Sequence, residues 1–177
     1  DIIPTTKYLI DSRNIQPVIL AAPSQTKGNG WSSQNDANGV CNPELWDLSS
    51  FNPNTFINDV KSNLPNNVQI SSVSFVGHSG AGCNVADGLY WALNSVNDIY
   101  ALGRFDTCFG KVFADQIIEG INEKNPNTKV LSVYGVMDPD SQNDDKLVFS
   151  GNNQFNTYVM ATPNHEKAVS LGMAEFL

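Results

Sequence analysis

Cationic side chains are scarce in this chain of 177 residues: ten Lys and Arg stand against eighteen Asp and Glu, a formal net charge of −8. Neutralising a phosphate backbone needs a basic stripe, and the few cations here are scattered, which excludes nucleic acid as a partner. Docking on an anionic membrane surface is disfavoured on the same grounds. No run of about 18 consecutive apolar residues occurs, so no membrane span is expected. The chain opens at Asp1 without the charged-then-apolar profile of a signal peptide, a start that a removed leader or excision from a longer protein would also give. Histidine is limited to His78 and His165, and cysteine to Cys41, Cys83 and Cys108. That is too few and too irregular for a zinc framework or a disulfide scaffold, and no metal or other cofactor is expected. With 41% hydrophobic residues there is apolar material for one soluble domain over residues 1–177, of open oligomeric state and compartment.

What is present is an alternation of strand and helix patterns. Residues 5–13 carry a short helical pattern, and Pro17-Val-Ile-Leu-Ala-Ala22 reads as a short, fully buried strand. Residues 23–54 are rich in Gly, Asn, Ser and Pro, with Trp31 and Trp46 embedded; such long loops tend to be functional or mobile. A helix capped by Asn54 is predicted over 54–64, then a strand over 68–76, a helix over 82–96 and a strand over 99–105. A helix over 112–124 ends at Asn125-Pro126, a strand spans 129–134, and a polar loop leads to a strand over 156–161 and a closing helix over 166–177. Tyr90 and Trp91 fall at helical spacing and read as core. The alternation predicts an α/β fold with a mostly parallel sheet and helices on both faces.

Residues 73–83, Val-Ser-Phe-Val-Gly-His-Ser-Gly-Ala-Gly-Cys, hold the clearest chemical signal. A β-branched and aromatic run stops at Gly77, and Ser79 then sits among Gly77, Gly80, Ala81 and Gly82. A serine on a sharp strand-to-helix turn needs small neighbours, because the flanking chain passes close and the backbone is strained. Its hydroxyl is then displayed at the end of the sheet, a place for a nucleophile.

In a parallel sheet the carboxyl ends of the strands open on one edge, where ligands bind. Ser79, Asp138 and His165 all fall at such ends. A serine hydroxyl is a poor nucleophile at neutral pH and needs an imidazole to take its proton. The imidazole needs a carboxylate to hold its tautomer and stabilise the imidazolium. His78 adjoins Ser79, and neighbouring side chains diverge in a tight turn, which leaves His165 as the base. Asp138, presented by Gly135-Val-Met-Asp-Pro, is the leading acid; Asp106 and Asp140 are rivals, since many loop aspartates merely cap turns. If the strands run as read, Cys83 and Cys108 follow neighbouring strands and either pair or remain buried thiols.

The elbow Gly77-His78-Ser79-Gly80, the segment Gly135-Val136-Met137-Asp138, and Asn164-His165 ahead of a final helix together resemble the α/β-hydrolase superfamily, whose chain order is Ser, acid, His. Tyr8 to Leu20 is similar to the helix-then-strand that precedes the oxyanion loop in small serine esterases of the esterase D type. The resemblance covers most of the chain outside 23–54. It implies a minimal three-layer version of the fold, of about five or six strands. It also implies an oxyanion hole from the backbone N–H of Gly80 and a second donor in Ala22-Pro23-Ser24-Gln25. Pro23 has no N–H, so Ser24 comes first and Gln25 next. Gln25, Trp31 and Trp46 are then placed around the substrate; the two tryptophans could equally keep a long loop ordered. Ala81 departs from the family's Gly-X-Ser-X-Gly pattern, with Gly82 following. The expected activity is hydrolysis of a small carboxylic ester or other acyl substrate through an acyl-enzyme. Amide or thioester cleavage by the same triad, and a non-catalytic binding module on a hydrolase fold, are the alternatives.

Overall fold

The computed structural model describes residues 2–12, 15–22, 52–83, 88–136, 139–161 and 164–177, with backbone alone for Ile2 and Cys83. Four strands form one parallel sheet in the order β1-β2-β3-β4, namely β1 (Val73–Ser79), β2 (Ile99–Thr107), β3 (Lys129–Tyr134) and β4 (Phe155–Val159). The helices are α1 (Ile2–Asp11), α2 (Pro53–Ser62), α3 (Gly80–Cys83), α4 (Leu89–Ser95), α5 (Lys111–Lys124), α6 (Pro139–Phe149) and α7 (Ala168–Phe176). The α/β class follows from this alternation. The strand number is four among the described residues, where about five or six were expected.

The missing strand is the run Pro17 to Ala22. It carries no ladder among the described residues, and Ile19 and Leu20 are 47% and 43% exposed. An apolar run becomes a buried strand only where a neighbour takes up its backbone hydrogen bonds, and no such neighbour is described here. The second expected strand is also shorter, beginning at Val73 rather than Val68.

The buried apolar residues form two packed groups. Leu102 and Val130 pack with Leu89 and Leu93 of α4, with Ala114, Ile117 and Ile121 of α5, and with Phe149 of α6. Phe105 and Val133, of opposite parity on the same strands, pack with Ala168 and Met173 of α7 and with Met160. In α4 the buried positions are Leu89, Ala92 and Leu93, one side of a short helix. Trp91 lies off that side and is 40% exposed, so it is not the core residue its spacing suggested.

Asn125 does more than end α5. Its side-chain oxygen accepts from the Ile99 N–H at 2.9 Å, and its amide donates to the carbonyls of Leu93 at 2.8 Å and Val96 at 3.0 Å. One buried side chain thus ties the start of β2 to the end of α4. The cap of α2 is Asn52, whose side chain accepts from the Thr55 N–H at 3.0 Å with Pro53 in the first turn, two residues before the expected Asn54.

The segment read as a polar loop is α6. Its buried positions are Gln142, Asp145 and Phe149, while Leu147 is 74% exposed. Asp145 accepts a bidentate pair of hydrogen bonds from the Arg104 guanidinium at 2.9 and 2.8 Å, and another from the Tyr134 hydroxyl at 2.7 Å. Arg104 also donates to Ser132 Oγ at 3.1 Å and the Cys108 carbonyl at 3.2 Å, and lies over the rings of Phe109 and Phe149. Burial and the Asp145 charge push the Tyr134 hydroxyl pKa upward, so it stays a donor. The charge pair is therefore fully buried and richly hydrogen-bonded, the condition under which such a pair is tolerated. Among the described residues no helix is long and apolar enough to cross a membrane.

Candidate active site

Ser79 is the last residue of β1, and its φ is +52°. A residue other than glycine or asparagine in the left-handed region is strained, and such outliers persist only where their surroundings fix them. Here Thr107, its register partner on β2, donates from Oγ1 to the Ser79 carbonyl at 2.5 Å. The chain turns directly into α3, and Gly80 is buried. A Cβ on Gly82 would sit 2.7 Å from Thr107 Cβ, whereas Ala81 is exposed. The close approach that the elbow demands therefore falls on Gly82, which explains why alanine is accommodated at 81.

The neighbouring strand carries the second element. His78 pairs with Phe105 and Ser79 with Thr107, so Asp106 is the extra residue of a bulge between them. Its φ is +38° and its side chain is fully buried. A bulge re-aims a side chain at a strand end. Here the Asp106 carboxylate accepts from the Gly135 N–H at 3.0 Å through Oδ1, and Oδ2 lies 2.7 Å from His165 Nδ1. A Cβ on Gly135 would fall 2.6 Å from Asp106 Cγ, so glycine is what leaves room for the carboxylate.

His165 stands in a turn just before α7. Asn164 shapes that turn by accepting the Lys167 N–H at 2.9 Å. A carboxylate can only accept, so Nδ1 of His165 carries a proton, and in the neutral ring this tautomer leaves the lone pair on Nε2. The side chain is 29% exposed, open enough for an approaching group.

His78 completes the cluster. Its Nε2 lies 2.9 Å from the His165 carbonyl and its ring centroid 4.4 Å from that of His165. The carbonyl can only accept, so Nε2 of His78 carries a proton. Burial lowers the His78 pKa from its ordinary value; the hydrogen bond to His165 opposes this, repulsion from the His165 ring adds to it, and Asp106 and Glu166 oppose it.

The structure thus brings Asp106 and His165 together and puts the residue before Ser79 against His165. Asp140 lies in the first turn of α6, and the carboxylate at His165 Nδ1 is that of Asp106. Asp138, Ser24, Gln25, Trp31 and Trp46 lie outside the described residues, as does the side chain of Cys83. Cys108 is disulfide-bonded. Sequence reasoning passed over Arg104, Asp145 and Tyr134, although an arginine inside an otherwise apolar strand, Ile99 to Phe105, signals a buried partner. No family model, curated protein or solved structure matches the chain.

Proposed function

We propose that this protein is a serine hydrolase that cleaves a carboxylic ester through an acyl-enzyme, with Ser79 as nucleophile, His165 as general base and Asp106, rather than Asp138, as the acid. The observation that carries the reading is the 2.7 Å contact between His165 Nδ1 and a fully buried Asp106, next to an elbow whose serine has φ +52°. The finer fold reading, a minimal α/β-hydrolase with helices on both faces, belongs to the same proposal. It is supported by the two packed groups, one with α4, α5 and α6 and the other with α7.

In this mechanism Ser79 Oγ attacks the acyl carbonyl while His165 Nε2 takes its proton. The imidazolium so formed is stabilised by Asp106, which is itself anchored by the Gly135 N–H. The Gly80 N–H donates to the developing oxyanion, and Ser24 is the candidate for the second donor; one such donor contributes about 3 kcal/mol to the transition state. Collapse breaks the ester C–O bond, and the proton on His165 goes to the departing alcohol. Water then attacks the acyl-Ser79, giving its proton to His165, and releases the carboxylic acid while Ser79 recovers its hydrogen.

The test is turnover of short p-nitrophenyl esters by the wild type and by Ser79→Ala. Turnover is expected in the first and none above background in the second; equal rates would refute the assignment. Matched ester, thioester and amide substrates then establish the leaving-group class.

A further inference from the structure

His78 has no part in the proton transfers above, yet it touches the residue that performs them. The loop bearing His165 must hold the imidazole in a single orientation, because a base displaced by about 1 Å loses about a hundredfold in rate. Asp106 fixes the ring through Nδ1. Nothing in that contact fixes the main chain from which the ring projects.

The main chain is held from two sides: the Ala168 N–H at the start of α7 donates to the His165 carbonyl at 3.3 Å, and β1 supplies the shorter bond. Nε2 of His78 donates to the His165 carbonyl at 2.9 Å, and the two rings lie tilted at 35° with centroids 4.4 Å apart. His78 is the residue immediately before Ser79, on a strand locked to β2 by the sheet ladder. We infer that His78 is a positioning residue, which fixes the His165 backbone to the nucleophile's own strand so that base and nucleophile keep one spacing. The inference rests on the proposed hydrolase reading for its catalytic meaning, but the hydrogen bond and its effect on His165 can be read independently.

Two properties of the side chain suit this role. Its donor is at the far end of the ring, so it spans from β1 to the loop, a reach that glutamine reproduces and asparagine does not. It also keeps its donor while neutral. The groups facing it are His165, Asp106 and Glu166, and a second cation beside an imidazolium on His165 would oppose the charge that turnover creates there. Burial favours the neutral form, in support of the geometric argument.

The experiment compares wild type, His78→Gln and His78→Asn by nitrogen-15 and proton NMR of the histidine rings and by ester turnover. The chain has two histidines, so each substitution leaves His165 alone in the spectrum. In the wild type we expect His78 as the Nε2–H tautomer and His165 with a slowly exchanging Nδ1 proton far downfield. The Gln variant should keep that proton and stay within about threefold of wild-type kcat; the Asn variant should lose it to exchange and fall about tenfold or more in kcat with KM unchanged. An Asn variant that keeps both the ring proton and the wild-type kcat overturns the inference. An Nδ1–H tautomer for His78 in the wild type overturns it even if the Asn variant does not fold. Should neither wild type nor Ser79→Ala turn over ester, the hydrolase reading fails, and the ring proton still decides whether His78 orders His165.

Discussion

Asp106 and His165 meet across 59 residues of sequence, Oδ2 to Nδ1 at 2.7 Å, while the other carboxylate oxygen is tied to the Gly135 N–H. Both oxygens of this buried carboxylate are thereby oriented. Asp106→Asn should lower kcat for ester turnover by about a thousandfold or more, because an amide presents the wrong tautomer to the ring. Asp138→Asn should stay within about threefold. Steady-state kinetics on the two variants decides between the carboxylates, and the reverse pattern would return the acid's role to Asp138.

The contact between Asp106 and His165 was not legible in the sequence. Asp106 and Asp138 both follow strands, and only the register of β1 on β2 makes Asp106 the bulged residue. The serine turn was legible, because small residues around one hydroxyl encode a close approach directly. So were α5 and β3, whose apolar spacing matches their buried faces. Helix α6 was hidden for the opposite reason: two of its three buried residues, Gln142 and Asp145, are polar, while Leu147 faces out. The run Pro17 to Ala22 misled by composition, since burial depends on a pairing neighbour that no local pattern specifies.

The elbow's packing gives a stability prediction. Gly82→Ala drives a methyl into Thr107 and should destabilise the fold by about 1–3 kcal/mol. Ala81→Gly, at an exposed position in the same turn, should cost about 1 kcal/mol or less. Urea unfolding of the two variants measures the contrast. An equal loss in both would mean that position 82 is not the tight one.

The charge pair under α6 gives a second. Arg104→Met leaves Asp145 buried without its partner and should cost about 3–5 kcal/mol. The double variant Arg104→Met, Asp145→Leu should recover part of that loss, because the isolated charge is gone. Denaturant midpoints for the single and double variants provide the test; a double variant less stable than the single would contradict the view that the unpaired charge causes the loss.

Acid should weaken the fold partly through His78. Its pKa is lowered in the folded protein, mainly by burial, so the unfolded chain binds the proton more readily. Stability is therefore lost as pH falls through the ordinary histidine value of about 6.5, and the loss is complete below the folded-state value. Between about pH 7.5 and about pH 5.5 the wild type should lose more stability than His78→Gln, as read by thermal unfolding at each pH. Parallel losses in the two proteins would contradict the linkage.

The most direct measurement is covalent labelling by a fluorophosphonate, with the adduct mapped by mass spectrometry in wild type, Ser79→Ala and His165→Ala. Stoichiometric modification confined to position 79, absent from the first variant and slowed by about a thousandfold in the second, is the predicted result. A wild-type protein that remains unmodified, or is modified at another residue, would contradict the account.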